Sequence, residues 1–211
     1  MSTALILPVK SFAQAKQRLG DALADPQRAE LAAAMVEDVL DELVRGALRP
    51  LILVSREPVV RDGVVTVHDD REAGQSAAAL LGIARAGELG CDRAVLVPGD
   101  CPLIEAGELE ELAARAQEIG VAIVPDRHGT GTNALALSTD GTFEPQFGPG
   151  SCARHVAQAE AKGLRHEVIR VPSLELDVDT RDDAAALADA LARFPGRAPR
   201  TRAALGRLAA A

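Results

Sequence analysis

A run of four apolar residues, Ala94–Val97, ends abruptly at Pro98, Gly99 and Asp100, and this transition limits the folds open to the chain. A short, continuously apolar segment is typical of a strand buried on both faces, as in the middle of a parallel sheet. The carboxyl ends of such strands form the ligand-binding edge of open α/β sheets. Asp100 is therefore a candidate ligand for a divalent cation that accompanies a phosphate. A turn or a helix cap is the alternative role for this side chain.

The rest of the chain alternates short apolar segments with amphipathic ones, which predicts strands alternating with helices. The predicted strands are 3–9, 51–54, 64–67, 94–97, 121–124, 133–137, 166–171 and 174–179. The predicted helices are 25–44, 77–89, 106–119, 152–161 and 181–191. Ser76 is a candidate cap for the second helix, and Thr180 with Asp183 has capping-box spacing at the last one.

This order of elements predicts a single-domain α/β fold with a mixed, mostly parallel sheet and helices on both faces. We expect the domain to occupy residues 1–192. The Arg- and Ala-rich residues 193–211 show little apolar periodicity, so we expect them to form a weakly packed tail.

Composition and charge narrow the classes of function. The 211-residue chain carries a formal charge of −8 and has four Phe but neither Trp nor Tyr. These features argue against nucleic-acid partners and anionic membranes, and a phosphorylated substrate would need a local basic pocket. The three cysteines lie far apart without a CxxC pair, which predicts reduced thiols in a cytoplasmic protein. The first apolar segment is too short for a signal peptide or a membrane span.

Four polar segments lie near the ends of predicted strands and together indicate phosphate chemistry. Cations follow the first strand, Asp100 follows the fourth, a Gly-Thr-Gly-Thr loop spans 129–132, and Asp177 and Asp179 precede the last helix. Mg²⁺ prefers a few carboxylates together with phosphate oxygens, so these acids could hold it. The cations would neutralise phosphate charge, and the loop could hold a second anion. Phosphoryl or nucleotidyl transfer requires such parts. The cations are Lys10, Lys16 and Arg18.

Each segment also has an ordinary structural interpretation. Clustered cations often lie on a solvated loop, Gly-Thr repeats form flexible turns, and acids are favoured at helix N-termini. Cys101 is expected to be a small buried residue, and His128 and His155 are expected to be hydrogen-bonded or exposed rather than catalytic. The dinucleotide fingerprint GxGxxG and the P-loop pattern are both absent from the sequence, which disfavours a nicotinamide dehydrogenase and a P-loop kinase.

Several segments of the sequence resemble the guanylyltransferases that activate a small phospho-acid in the synthesis of the deazaflavin coenzyme F(420). The similarity extends to about Leu191 and keeps the expected order. Its specific parts are the Gly-Thr-Gly-Thr loop and the Phe-Gly-x-x-Ser segment, whereas the Asp-x-Pro step is shared with the wider nucleotidyltransferase superfamily. The matching segments are Leu7–Lys10 with Ala15–Leu19, Pro98–Leu103, Asp126–Thr132, Phe147–Ser151 with Ala153–His155, and Leu176–Thr180.

The resemblance implies a nucleotide-diphospho-sugar transferase-like, Rossmann-like fold. In the implied reaction, the phosphate of an acceptor acid attacks the α-phosphate of GTP, and pyrophosphate leaves. Phosphoenolpyruvate is the favoured acceptor, with 2-phospho-L-lactate and 3-phospho-D-glycerate as the others known in the family, and a homodimer is compatible with the resemblance.

The resemblance also implies a role for individual residues. The implied catalytic residues are Lys10, Lys16 and Arg18, and the implied Mg²⁺ ligands are Asp100, Asp177 and Asp179. The implied phospho-acid site consists of Thr132, Gly148 and Ser151, and the implied nucleotide site of Pro8, Gly74, Gln75, Ser76 and Gly99.

One departure from the family pattern concerns guanine selection. Many members carry Gly-Leu-Asn or Pro-Leu-Asn before the second helix, where this chain has Gly74-Gln75-Ser76. Two other functions stay open: a transferase of the same superfamily with a molybdenum-cofactor or sugar-phosphate acceptor, and a non-catalytic nucleotide-binding protein. The absence of a Gly-Gly-x-Ser/Thr turn after the first strand disfavours the former, and the three intact carboxylates disfavour the latter.

Overall fold

The computed structural model of the chain describes residues 2–11, 25–57 and 59–209, with only the backbone described at Asp25 and Ala209. The strands are β1 (Thr3–Val9), β2 (Leu51–Ser55), β3 (Val64–His68), β4 (Arg93–Leu96), β5 (Val121–Pro125), β6 (Thr132–Ser138) and β7 (His166–Val168). The helices are α1 (Asp25–Arg45), α2 (Gln75–Glu88), α3 (Ala106–Ile119), α4 (Ser151–Ala161), α5 (Arg181–Arg193) and α6 (Pro199–Ala209).

The seven strands form one mixed sheet in the order β3-β2-β1-β4-β6-β5-β7. Only β6 runs against its neighbours, because it pairs antiparallel with both β4 and β5 while the other described pairings are parallel. The predicted mixed, mostly parallel sheet is therefore confirmed. As a result, the amino end of β6 lies at the same edge as the carboxyl ends of the other strands, which is the edge where α/β sheets bind ligands.

Helices cover both faces of the sheet, as the sequence predicts. Buried side chains of α1 and α3 pack on one face, and those of α2 and α4 pack on the other. Helix α2 approaches β1 so closely that a Cβ atom at Gly82 would lie 2.3 Å from Ile6 Cγ2. A larger residue at position 82 would require α2 or the side chain of Ile6 to shift, so this glycine permits the close approach of α2 to the sheet.

The segment 174–179, predicted as a strand, is not one. A short 3₁₀ helix, Pro172–Leu174, is followed by residues that pair with no strand. The alternation of Leu174, Leu176 and Val178 is strand-like, but β4 already has β1 and β6 as neighbours and has no free edge. The segment instead crosses the end of the sheet, and β7 also stops earlier than predicted, at Val168.

The C-terminal residues are better packed than the sequence predicts. Helix α6 lies against α1, and its buried residues join a cluster with Leu31 and Met35. Thr201 is fully buried and donates both its backbone N–H and its hydroxyl to the carboxylate of Asp38, each at 2.7 Å. The expected weakly packed tail is therefore wrong over 199–209, while the domain limit near residue 192 stays a prediction.

In the described part of the chain, no helix combines the length and the apolar character needed to cross a bilayer.

Candidate active site

The turn that carries Asp100 packs tightly against the end of β1. A Cβ atom at Gly99 would lie 3.0 Å from Val36 Cγ2 and 3.5 Å from Val9 Cγ2, so the turn rests on both β1 and α1. Lys10, which follows β1, is exposed next to this turn, whereas Pro8 is half-buried inside the strand. Lys16 and Arg18 lie outside the described residues, so of the predicted cations only Lys10 is located.

The start of the loop after β1 is held by an acidic side chain. The backbone N–H of Ser11 donates to a carboxylate oxygen of Glu72 at 2.8 Å, and the other oxygen of Glu72 pairs with Arg56 at 2.9 Å. These contacts tie the loops after β1, β2 and β3 together. Lys10 is thereby held at the ligand-binding edge of the sheet, an arrangement that the sequence analysis did not predict.

Asp100 and the segment containing Asp177 and Asp179 lie together at this edge. The backbone N–H of Val178 donates to the carbonyl oxygen of Asp100 at 3.2 Å. Burial raises the pKa of the Asp177 carboxyl, and the negative charges of Asp100 and Asp179 raise it further. Like charges that perturb one another in this way create a strongly negative site, which a bound cation would relieve.

Asn133 connects this acidic site to β6. Its side-chain amide donates to the carbonyl oxygen of Leu174 at 2.6 Å and to the carboxylate of Asp177 at 3.3 Å. Asn133 is the second residue of β6, directly after Thr132. The acidic site and Thr132 are therefore neighbours, although no sequence motif marks Asn133.

The main chain of Asp179 is held by the start of α5. Thr180 and Asp183 form the predicted capping box, and the Asp183 carboxylate also accepts the backbone N–H of Asp179 at 3.0 Å. Burial opposes ionisation of Asp183, but the hydrogen bonds from Thr180 and Asp179 and the charge of Arg127 lower its pKa overall. Arg127 forms an ion pair with Asp183, which links the loop after β5 to α5.

The acidic site suits a cation that brings some of its own ligands. Among residues 2–11, 25–57 and 59–209, no group of three or more His, Cys, Asp or Glu side chains is placed so that it could hold a metal ion by itself, and this includes the predicted set of Asp100, Asp177 and Asp179. Mg²⁺ is normally held by one or two carboxylates, with water and substrate phosphates completing its shell. A magnesium ion at this site would therefore need water or substrate phosphate oxygens as further ligands.

The three residues of the implied phospho-acid site are adjacent. The hydroxyls of Ser151 and Thr132 are hydrogen-bonded to each other at 3.1 Å. The backbone N–H of Ser151, the first residue of α4, donates to the carbonyl oxygen of Gly148 at 3.0 Å. Gly148 has a φ of +114°, which an L side chain rarely adopts, so the loop before α4 depends on this glycine.

His155 lies behind this pair and has no exposed surface. Its Nδ1 is 3.0 Å from Thr132 Oγ1, and its Nε2 accepts the backbone N–H of Gln146 at 2.8 Å. The expectation that His155 is hydrogen-bonded is confirmed. Ser151 and His155 are four residues apart on α4, which places both side chains on the same face of the helix.

The implied nucleotide loop touches the loop of the phospho-acid site. Gly74, with a φ of +105°, occupies the N-cap position of α2, and Gln75 is the first helical residue. The prediction that Ser76 caps the helix is wrong, because Ser76 lies inside it. Its hydroxyl accepts the backbone N–H of Phe147 at 2.9 Å, directly before Gly148.

Comparison with known proteins identifies the family of the chain. The family model described as "Guanylyl transferase CofC like" matches residues 3–188. The chain belongs to this family. A phosphoenolpyruvate guanylyltransferase from Conexibacter woesei is 44% identical over 99% of this chain and 97% of its own length. A 3-phospho-D-glycerate guanylyltransferase from Phenylobacterium zucineum is 36% identical over 87% of this chain and 88% of its own length.

Solved structures share the fold of this CofC-like chain. A Desulfovibrio desulfuricans protein assigned to the nucleotide-diphospho-sugar transferases superposes with a TM-score of 0.79 at 20% identity, covering 100% of this chain and 96% of that one. A nucleotidyl transferase from Methanothermobacter has a TM-score of 0.67 at 18% identity, covering 92% and 99%. These likenesses confirm the predicted nucleotide-diphospho-sugar transferase-like fold.

In the CofC-like chain, the implied residues therefore fall into two groups that meet at one edge. Asp100, Asp177 and Asp179 form the acidic group, and Thr132 with Ser151 forms the hydroxyl group. Asn133 lies between the groups, and Ser76 connects the second group to the start of α2. The ligand roles of these residues stay predictions.

Proposed function

We propose that the protein is a Mg²⁺-dependent guanylyltransferase that transfers GMP from GTP to the phosphate of phosphoenolpyruvate. The products would be enolpyruvyl-diphospho-5'-guanosine and pyrophosphate, in the synthesis of coenzyme F(420). Family membership supports guanylyl transfer. The acceptor is supported by relatives named phosphoenolpyruvate guanylyltransferase, at 44% and 38% identity over most of their lengths.

The observation that carries this proposal is the contact of Asn133 with Asp177, one residue away from Thr132. Through it, an acidic site suited to a cation lies beside a hydroxyl pair suited to an anion. A phosphate bound near Thr132 and Ser151 would be next to a triphosphate whose charge is neutralised by Mg²⁺ and lysines. Positioning and charge neutralisation of this kind are most of what phosphoryl-transfer chemistry requires.

In this proposal the acidic and the basic residues have different roles. Asp100, Asp177 and Asp179 would hold the cation, which supplies a Lewis acid for the phosphate oxygens when bound. Lys10, Lys16 and Arg18 would neutralise charge that develops on the leaving pyrophosphate. The loop Gly74–Ser76, with Pro8 and Gly99, would receive the nucleotide.

The proposal is tested by incubating the protein with GTP, Mg²⁺ and each of three acids and measuring pyrophosphate. The acids are phosphoenolpyruvate, 2-phospho-L-lactate and 3-phospho-D-glycerate. We expect the fastest release with phosphoenolpyruvate. Faster release with 3-phospho-D-glycerate, the acid in the name of the Phenylobacterium relative, would replace the acceptor but keep the reaction. No release with any acid would refute the proposal.

Two further predictions concern the cellular setting and the assembly. The three cysteines among the described residues are buried and form no disulfide, which supports a reducing, cytoplasmic compartment. A homodimer is likewise part of the proposal, and size-exclusion chromatography with light scattering tests it.

A further inference from the structure

We infer that His155 is a positioning residue that orients the hydroxyls of Thr132 and Ser151, so that the pair presents one hydrogen-bond donor to an anionic oxygen of the acceptor. This inference rests on the proposed function, in which that pair binds the phospho-acid. His155 is wholly buried and contacts Thr132, so it would act on the acid through that hydroxyl.

The tautomer of His155 follows from its two partners. The backbone N–H of Gln146 can only donate, so the Nε2 atom that it meets at 2.8 Å must be the unprotonated nitrogen. The proton of the neutral ring is then on Nδ1, which lies 3.0 Å from Thr132 Oγ1. Thr132 Oγ1 therefore accepts a hydrogen bond from the ring.

Counting hydrogens shows what remains for a ligand. The hydroxyls of Thr132 and Ser151 carry two hydrogens, and the bond between them, at 3.1 Å, uses one. The ring of His155 supplies its own hydrogen, so it cannot accept the other. Whichever hydroxyl donates within the pair, the other O–H is not used by Thr132, Ser151 or His155. A ligand that only accepts hydrogen bonds satisfies this arrangement, as phosphate and carboxylate oxygens do.

The ring of His155 is held so that this arrangement persists. Its centroid lies 5.8 Å from that of Phe143 and 5.7 Å from that of Phe147, the latter in an edge-to-face arrangement. Burial lowers the pKa of His155 to about 4, and the charge of Arg154 contributes. A protonated ring would also point an N–H at the N–H of Gln146. The ring therefore stays neutral at physiological pH and keeps donating to Thr132.

Two substitutions separate the contacts of the ring. Asn places an amide nitrogen near the former Nδ1, so His155→Asn keeps a donor for Thr132. Gln reaches the former Nε2 position, so His155→Gln keeps an acceptor for Gln146 but loses that donor. We expect His155→Gln to raise KM for the best acid about tenfold with KM for GTP unchanged, the loss of about one hydrogen bond. His155→Asn is expected to restore KM for the acid to within about threefold of wild type.

A purely structural role predicts a different pattern. Both variants would then lose folded protein and kcat together, with the same KM for the acid as wild type, and this result would overturn the inference. Equal increases in KM for GTP and for the acid would also overturn it, because the effect would no longer be local to the phospho-acid site.

Long-range ¹H–¹⁵N NMR spectra of the wild-type imidazoles test the inference without turnover. We expect one histidine, absent from the spectrum of His155→Gln, to be neutral with its proton on Nδ1 from pH 5.5 to pH 8. Its Nδ1 proton signal should shift when phosphoenolpyruvate is added without GTP. A proton on Nε2, a cationic ring at pH 6, or no shift at saturating acid would refute the positioning role. Failure of the proposed function alone would appear as absent pyrophosphate release from a protein with the expected tautomer.

Discussion

The backbone N–H of Val178 donates to the carbonyl oxygen of Asp100 at 3.2 Å, and this bond joins two distant segments of the chain at the edge of the sheet. Because the bond uses main-chain atoms, it sets the position of the acidic segment independently of the carboxylate of Asp100. The side chain of Asp100 can therefore be changed without removing the contact that organises the site.

Replacing Asp100 should separate catalysis from folding. We expect Asp100→Asn to reduce pyrophosphate release at least about a hundredfold, because the cation loses a charged ligand at the reacting phosphates. The far-ultraviolet circular dichroism spectrum and the melting temperature should stay near those of wild type. Asp92→Asn is the matched control, since Asp92 is an exposed acid at the opposite end of β4. Equal activities of the two variants would contradict the role of Asp100.

Replacing Asp177 with Asn should stabilise the folded protein and also inactivate it. In the folded protein, burial and the charges of Asp100 and Asp179 raise the pKa of Asp177, so the folded state binds a proton more tightly than the unfolded state. The wild type therefore loses stability as pH rises from the unfolded pKa through the raised folded pKa. We expect Asp177→Asn, which keeps an oxygen for Asn133, to melt a few degrees higher than wild type at pH 8 without metal. The difference in melting temperature should shrink as pH falls towards 4. A lower melting temperature of Asp177→Asn than of wild type at pH 8 would contradict the charge repulsion among Asp100, Asp177 and Asp179.

Helices α1 to α5 followed from the sequence because their determinants are local, although the predicted Ser76 cap of α2 was wrong. The period of apolar residues located α1 and α3, and Thr180 with Asp183 marked the start of α5. The antiparallel direction of β6 and the absence of a strand at 174–179 depend instead on which strand edges are free to pair. This is a property of the whole sheet. Partners such as Asn133 are reached only through the tertiary fold, so motifs could name Asp177 and Thr132 but not the residue that connects them.

The buried His155 should make the protein sensitive to acid. Its pKa falls from 6.5 to about 4 on folding, chiefly through burial, so the unfolded state binds the proton more readily between these values. Stability is then full above pH 6.5 and decreases by about 3 kcal/mol as pH falls to 4. Urea unfolding of His155→Asn should show a shallower decrease than wild type over this window. Identical pH profiles for His155→Asn and wild type would contradict a neutral buried ring.

The link between Ser76 and Phe147 should couple the two substrate sites. Ser76→Ala removes the acceptor of the Phe147 N–H beside Gly148. We expect KM for the phospho-acid to rise about fivefold, the loss of about one hydrogen bond, together with a rise in KM for GTP. Ser76→Thr keeps the hydroxyl oxygen and should raise KM for the phospho-acid less than Ser76→Ala does. If Ser76→Ala raises KM for GTP alone, the hydrogen bond between Ser76 and Phe147 does not affect the phospho-acid site.

Helix α6 should be part of the folding unit. The buried carboxylate of Asp38 accepts hydrogen bonds from Arg200 and Thr201 at the start of this helix. We expect Asp38→Ala to cost about 2–3 kcal/mol, and hence to lower the melting temperature by about 5–10 °C. Asp41→Ala, which removes a more exposed partner of Arg200, should cost less than about 1 kcal/mol. Equal small effects of the two variants would indicate that α6 contributes little to stability.

The most direct test of the account is a ³¹P NMR spectrum of the wild-type protein incubated with GTP, Mg²⁺ and phosphoenolpyruvate. Attack on the α-phosphate predicts a new pair of coupled diphosphate resonances together with pyrophosphate in equal amount, and neither signal with Asp100→Asn. Formation of GDP with orthophosphate, or a spectrum in which GTP and phosphoenolpyruvate persist unchanged, would contradict guanylyl transfer at this site.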